Sequence, residues 1–347
     1  MGVNFIIPGD SRQLTGGYIY NRKLIEGLSA AGNDVQIINP GNDFPFPGEQ
    51  SRAKVSALFK SLPHGEAIII DSLALGALNE FIPALKSKNR IIALMHLPLF
   101  MDPTYSEADR ERFKISETQC LQQVDVVVTT SGHTKKILFE LGIGEDKIHV
   151  ITPGTENGPR ILQYPDLPEK LLCVSNYTVN KNQSLLIKAL TGLVHLPWTL
   201  HCYGNRKMDK SYYAQLQLTV TNLGLKDRIV LHGPVDHENL QRIYHQFDLF
   251  VLPSQYETYG MVLAEALVHG LPVVAAHTGG IPQTIPKGTG MLFEPGNITS
   301  LRSILAKLFV DMVLYKNLCQ KSKESRNQFS TWADSLNKII RILNRPN

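Results

Sequence analysis

The chain has 347 residues, 43% hydrophobic and 19% charged, the composition of a globular soluble protein and too long for one ordinary core, so two domains are expected. A net charge of +4 is mild: it permits weak attraction to phosphates or to an anionic membrane surface, establishes neither, and gives no reason to expect a nucleic-acid partner. No apolar run reaches the ~18 residues needed to span a bilayer, and four scattered cysteines (Cys120, Cys173, Cys202, Cys319) without a Cys-x-x-Cys pair fit reduced thiols in a cytoplasmic protein and offer no zinc site.

The opening residues are too short and break too early for a signal peptide and read instead as a first strand, Phe5-Ile6-Ile7. A polar loop from Pro8 to Thr15 follows, and Gly16-Gly17 opens a helix through Tyr20, Leu24, Ile25 and Leu28 that stops at Gly32. Taken alone, that glycine pair marks a loop-to-helix joint needing unusual backbone angles. Val35–Ile38, Ala67–Asp71 and Ile91–Met95 are further strands, short and apolar as buried parallel strands should be. His96-Leu97-Pro98 follows the last of these directly, so His96 stands at a strand's carboxyl end, where open α/β sheets bind their ligands. Residues 104–123 read as a charged surface helix, Val124–Ser131 as a strand running into a helix start, and Ile148–Ile151 as the last strand of a domain spanning 1–152. Turn formers then crowd 153–168, among them Pro153, Gly154, Asn157, Gly158, Pro159, Pro165 and Pro168, and the interdomain linker is placed there.

The second domain, 169–325, alternates again: a strand at Leu171–Ser175, a helix at Gln183–Leu190, a strand at 198–204, a helix at Tyr212–Leu223, a strand at Ile229–Val235 and a helix through Leu240 and Tyr244. Alternation of this kind argues a doubly wound α/β domain. Its most informative stretch is Asp248–Ala276, which reads as strand, helix, strand. The helix is apolar all round from Met261 through Val268 except for Glu265, and a carboxylate in such a setting must be paired or hydrogen-bonded. A salt bridge to a neighbouring strand would satisfy it. Glu257, however, lies eight residues earlier, and Thr258, Tyr259, Gly260 and Met261 supply the N–H groups of the helix start, which together with the helix dipole make a ready phosphate site. Glu265, about two turns and ~12 Å further along, could then accept hydrogen bonds from a ribose.

Pro253-Ser254-x-x-Glu257-Thr258-x-Gly260-x-x-x-x-Glu265-Ala266, then Gly270-x-Pro272-Val273-Val274 and Gly279-Gly280-Ile281-Pro282, resembles the donor-site signature of family-four retaining glycosyltransferases of the GT-B fold. The resemblance covers nearly the whole chain and implies two Rossmann-like doubly wound domains facing one another across a cleft, with a terminal segment, 326–347, returning as a helix to the first. It also assigns roles. Glu265 binds the ribose of a nucleotide-sugar, Glu257 sits by the sugar, and Thr258 to Met261 cradle the diphosphate. Gly16 and Gly17 approach that diphosphate, His96 contacts the transferred sugar, and Val235 belongs to the donor-binding set.

One position departs from the pattern. The family usually has Gly-Arg after the first strand of the second domain and a lysine five or six positions on; here Ser175-Asn176 and Lys181 stand there. Asn176 can hydrogen-bond a phosphate but brings no charge, and Arg12, Arg206 and Lys207 are possible substitutes. The expected activity is transfer of a hexose from a UDP- or GDP-sugar to a hydroxyl acceptor (a glycan, a lipid-linked sugar or a small molecule) with retention at the anomeric carbon. With no Asp-x-Asp pair and no His-Glu-x-x-His, neither a metal ion nor a cofactor is expected. Two other readings stay open: another nucleotide-sugar enzyme such as an epimerase or phosphorylase, and a non-catalytic subunit of the same fold that binds a partner, for which Asn176 is the hint.

Overall fold

The computed structural model describes residues 1–156, 161 and 163–345. Asn157, Gly158, Pro159, Arg160 and Leu162 of the expected linker lie outside the described residues, as do Pro346 and Asn347 of the expected terminal segment. The chain divides into two compact units, one built from Met1–Gly154 with the segment from Trp332 onward, the other from Thr155–Thr331.

The first unit carries six parallel strands, β1 (Gly2–Ile6), β2 (Asp34–Ile38), β3 (Ala67–Asp71), β4 (Arg90–Met95), β5 (Val126–Thr129) and β6 (Ile148–Val150), in the order β2-β1-β3-β4-β5-β6. Alternate residues of these strands feed two different cores. Phe5, Ile69, Ile92 and Val128 meet Tyr20, Leu24 and Leu28 of the Gly16–Ala30 helix on one face. Ile68, Ile70, Ile91 and Val127 meet Val55, Leu78, Cys120 and Leu138 on the other. Both faces are covered, which is why these strands read as unbroken apolar runs. The Trp332–Leu343 helix completes the first core with Ile339, Ile342 and Leu343. It can lie close because Gly27 carries no side chain: a Cβ there would stand 2.8 Å from Leu336 Cδ2. Arg90 Nη1 donates to the Ile342 carbonyl at 2.8 Å and Ser335 Oγ to the Thr152 carbonyl at 2.7 Å.

The second unit repeats the plan with β7 (Lys170–Val174), β8 (Thr199–Tyr203), β9 (Ile229–His232), β10 (Leu249–Leu252), β11 (Val273–Ala276) and β12 (Gly290–Phe293), all parallel, in the order β12-β11-β10-β7-β8-β9. Two Rossmann-like α/β units in one chain is the composition of the GT-B fold.

Two expectations are corrected. The strand expected through Val235 ends at His232. The helix expected on the surface at 104–123 runs Glu107–Gln123 and buries Phe113, Glu117, Cys120 and Leu121, a face one and two turns deep with a carboxyl at its centre. Among the described residues of the stretch placed as linker, Thr155 pairs with Thr331, Ile161 N–H donates to the His269 carbonyl at 3.0 Å, and Tyr164 OH donates to the Gly270 carbonyl at 2.8 Å. The helices Glu49–Ser61, Ile298–Leu308 and Met312–Ser325 and the strand β12 complete the units without having carried a reading of their own.

Candidate active site

In each sheet the strand order reverses once, between β1 and β3 in the first unit and between β10 and β7 in the second. A crevice forms outside the carboxyl ends of the strands at such a point, because the connections on its two sides run to opposite faces. A polar pair occupies each of these positions.

In the second unit the pair is Lys181, after β7, and Glu257, after β10. Lys181 Nζ lies 2.5 Å from Glu257 Oε1, and Ser254 Oγ donates to the same oxygen at 2.8 Å. Both side chains are largely withdrawn from solvent, 26% and 13% exposed. The backbone around them is tightly specified. A short turn, Val179–Lys181, ends at Asn182, whose φ of 51° makes it the one non-glycine residue with positive φ among the described residues; asparagine tolerates that conformation better than most. Asn180, 6% exposed, ties this turn to the loop after β10 with both ends of its amide, donating to the Tyr256 carbonyl at 3.2 Å and accepting from Tyr256 N–H at 3.0 Å. Gly279 closes the arrangement from the other side. Its φ is +53°, a Cβ there would stand 1.9 Å from the Glu257 carbonyl oxygen, and the next residue, Gly280, donates its N–H to that oxygen at 2.8 Å. The first glycine of the Gly-Gly in the sequence signature is thus required by close backbone approach.

Gly260, with φ +79°, is the left-handed N-cap from which the helix Met261–Val268 starts. Thr284 Oγ1 donates to the Tyr259 carbonyl at 2.6 Å, fixing the entry to that helix. The first N–H groups of a helix have no partner within it and carry the positive end of its dipole, and here that end begins at Gly260 and Met261, a few residues after Glu257. Further along the helix Glu265 is not isolated: Tyr244 OH donates to its Oε2 at 2.9 Å, and no neighbouring strand supplies a salt bridge to it among the described residues. Burial pushes its carboxyl above the ordinary glutamate range, opposed by the charge of His237 and by the Tyr244 hydrogen bond. Val235, in the loop before the His237–Tyr244 helix, packs with the core that includes Leu240 and Tyr244.

Asn176, at the position where the family usually has an arginine, is tied to a neighbouring loop through its amide oxygen. Its Oδ1 accepts Asn205 N–H at 3.2 Å and so joins the loops after β7 and β8. The substitutes considered from sequence are engaged as well: Arg206 donates to the Leu231 carbonyl at 2.7 Å, and Arg12 forks onto Asp10 at 3.0 and 3.1 Å. Lys207 lies exposed, its N–H given to Asn205 Oδ1 at 2.9 Å.

In the first unit the pair at the reversal is Asn21, on the Gly16–Ala30 helix, and Asp71, at the end of β3. Asn21 Nδ2 donates to Asp71 Oδ2 at 2.6 Å, and Leu73 N–H donates to Asp71 Oδ1 at 2.8 Å. His96 Nε2 stands 2.9 Å from Asn21 Oδ1 and 3.4 Å from Asp71 Oδ2, its ring edge-on to Tyr20. Burial by itself raises the Asp71 carboxyl, but the hydrogen bond and charge of His96, with the Leu73 and Asn21 donors, bring it net below its ordinary value. Gly17 leaves the ring room, since a Cβ there would be 3.1 Å from His96 Cδ2. Gly16 is the first residue of that helix. Sequence reasoning identified His96 and the glycines but not Asn21, Asp71 or Asn180, whose partners are far away along the chain.

Residues 155–325 match the family described as Glycosyl transferases group 1. The second unit is a group 1 glycosyl transferase domain. Among curated relatives, this chain is 28% identical over 237 residues to mannosylfructose-phosphate synthase of Agrobacterium fabrum, covering 63% of this chain and 52% of that protein. It is 36% identical over 114 residues to the sulfoquinovosyl transferase of Arabidopsis thaliana, covering 32% and 22%. The chain thus spans about half, or less, of these relatives' own length. Among solved structures, sucrose-phosphate synthase of Thermosynechococcus elongatus superposes with a TM-score of 0.81 at 21% identity, covering 98% of each chain. HepE of Anabaena, solved in complex with UDP-glucose, superposes with a TM-score of 0.77 at 19% identity, covering 99% of each. At these identities the structural likeness speaks to the fold. No described helix is long and apolar enough to cross a membrane.

Proposed function

We propose that the protein is a retaining glycosyltransferase that moves a hexose from a UDP- or GDP-linked sugar to a hydroxyl acceptor without a metal ion or other cofactor. The observation that carries this reading is the constellation at the β7/β10 reversal: Lys181 and Glu257 in contact, beside a helix start opened by a left-handed glycine. A diphosphate at that helix start would meet backbone N–H groups and one fixed cation, donors that strengthen as negative charge builds on the leaving group. Lys181 would then be shared between the phosphate and Glu257, which orients it. Glu265, held by Tyr244 through one oxygen, keeps its other oxygen for the hydroxyls of a ribose. His96, with its ring fixed by Asn21 and the edge of Tyr20, is suited to contact the sugar without moving. The leaving phosphate oxygen helps remove the proton of the incoming hydroxyl on the same face of the sugar, so the anomeric configuration is kept and no side chain need become a covalent nucleophile.

The relatives favour a nucleotide-sugar donor, since HepE is solved with UDP-glucose, and the names of the synthases and transferases leave the sugar and acceptor of this chain open. A non-catalytic role is favoured only by Asn176, which brings no charge and whose Oδ1 holds a loop. The deciding experiment incubates the purified protein with a panel of UDP- and GDP-sugars, with and without EDTA, and follows nucleotide release. Release from one donor that survives the chelator supports the reading. Complete loss with EDTA and rescue by magnesium or manganese refutes metal independence, and no release from any donor, together with no thermal shift by UDP or GDP, refutes the transferase.

A further inference from the structure

Glu117 lies in the middle of the Glu107–Gln123 helix and is 0% exposed. Its partners are not cations but backbone: Oε1 accepts Leu99 N–H at 3.1 Å and Oε2 accepts Phe100 N–H at 3.5 Å. Room for it comes from Gly76, where a Cβ would stand 3.3 Å from Glu117 Cγ. The two amides open the Leu99–Met101 turn, which follows His96-Leu97-Pro98 at the carboxyl end of β4. Leu99 and Phe100 pack with Phe113 beside Tyr105 and Ile137, so the turn has an apolar seat as well.

A buried carboxyl with no cation beside it opposes folding, and apolar residues of similar volume often fill such places at no loss of stability. An apolar residue here would preserve the packing but leave two N–H groups at the start of a turn with nothing to accept them. What the carboxyl supplies and a leucine would not is a fixed position for this stretch of backbone. The His96 ring is held through Asn21 and Asp71, from the Gly16–Ala30 helix and from β3; its outgoing chain is held through Glu117, from a different helix. We propose that Glu117 is a positioning residue for His96, fixing the turn that follows it and so the placement of the ring during sugar transfer. This rests on the reading of His96 as the group that contacts the sugar.

The test uses the full chain with Glu117→Gln, which keeps shape and one acceptor, and Glu117→Leu, which keeps bulk and neither. Hydrogen exchange of residues 97–102 is measured beside kcat and the donor KM. In Glu117→Gln, exchange of this segment should speed up about tenfold while β10 stays protected, and kcat should fall about tenfold with the donor KM within about twofold; Glu117→Leu should lose about a hundredfold in kcat. Unchanged exchange at 97–102 overturns the proposal, and so does wild-type kcat in the Gln variant. A loss of kcat that merely tracks loss of protection throughout the unit makes Glu117 a packing residue and overturns it as well. If the wild-type protein turns over no donor, the transferase reading fails and takes the link to His96 with it, a result distinguishable from an active enzyme indifferent to Glu117.

Discussion

Gly279→Ala tests how tightly the donor loop is specified. Two effects act there at once: a residue with a side chain must adopt φ +53°, and its Cβ would stand 1.9 Å from the Glu257 carbonyl oxygen. Gly224→Ala isolates the first effect, since Gly224 has φ +66° with nothing within 4 Å of a Cβ. The control should lose about 1–2 kcal/mol, the usual cost of a left-handed alanine. At Gly279 the carbonyl must also retreat by about 1 Å, giving up the 2.8 Å bond from Gly280 N–H, which adds about 1–3 kcal/mol for a buried amide left without its acceptor. Urea unfolding of both variants should therefore separate them by at least about 1 kcal/mol at equal m-value. Because the displaced carbonyl belongs to Glu257, donor affinity should fall at least about tenfold in Gly279→Ala and stay level in Gly224→Ala. Equal destabilisation by the two substitutions, or an unaltered donor affinity in Gly279→Ala, would refute the claim that this close approach fixes Glu257.

Lys181→Ala should weaken binding of UDP or GDP by about one to two orders of magnitude and that of a bare nucleoside much less, since a charge-assisted bond to phosphate is worth roughly 1.5–3 kcal/mol; titration calorimetry with both ligands decides it, and equal affinities for parent and variant would remove the phosphate role. Glu265→Gln should weaken nucleotide binding about tenfold in a folded protein, whereas unchanged affinity would leave Glu265 as a structural partner of Tyr244. His96→Ala should lower kcat about a hundredfold or more while nucleotide affinity changes by less than about threefold, as expected of a contact made in the transition state; equal losses in both, with a lower Tm, would mark a packing residue. Burial raises the Glu117 carboxyl from 4.5 to about 8, above its unfolded value, so its contribution to stability is fully present below 4.5 and lost as pH rises through about 8. Between those limits the wild type should lose up to about 1.4 kcal/mol per pH unit relative to Glu117→Gln, and parallel urea midpoints from pH 5 to pH 8 would contradict this.

The two Rossmann-like units and the loop that follows β10 were legible because their signals are local. Apolar runs of strand length, glycines at joints and the spacing of Glu257, Gly260 and Glu265 are read within a dozen residues. What escaped is long-range and polar. Asn21 sits on a helix like any surface asparagine until Asp71, 50 residues on, and His96, 75 residues on, come to meet it. Asn180 reaches Tyr256 across 76 residues, and periodicity carries no information about such partners. The Glu107–Gln123 helix misled for a related reason. Phe113, Glu117, Cys120 and Leu121 have the spacing of a buried face, but a carboxyl at its centre made the stretch look solvated. Glu265 shows the reverse case: its environment announced that a partner must exist, while the identity of that partner, Tyr244, depended on how the preceding helix packs.

The Trp332–Leu343 helix has a consequence for the order in which the chain can mature. The second unit is one continuous segment, so its whole core is available once residue 331 has been made. The first unit is synthesised earlier but lacks Ile339, Ile342 and Leu343, leaving Leu24, Leu28 and the face of the sheet beneath them partly uncovered in the meantime. Folding from the amino terminus is the common order for multidomain chains during synthesis. Here the earlier-made unit must wait for the later one to be completed before its last helix arrives. A released chain truncated after Thr331 should accordingly hold a protease-resistant second unit beside a first unit still open to cleavage.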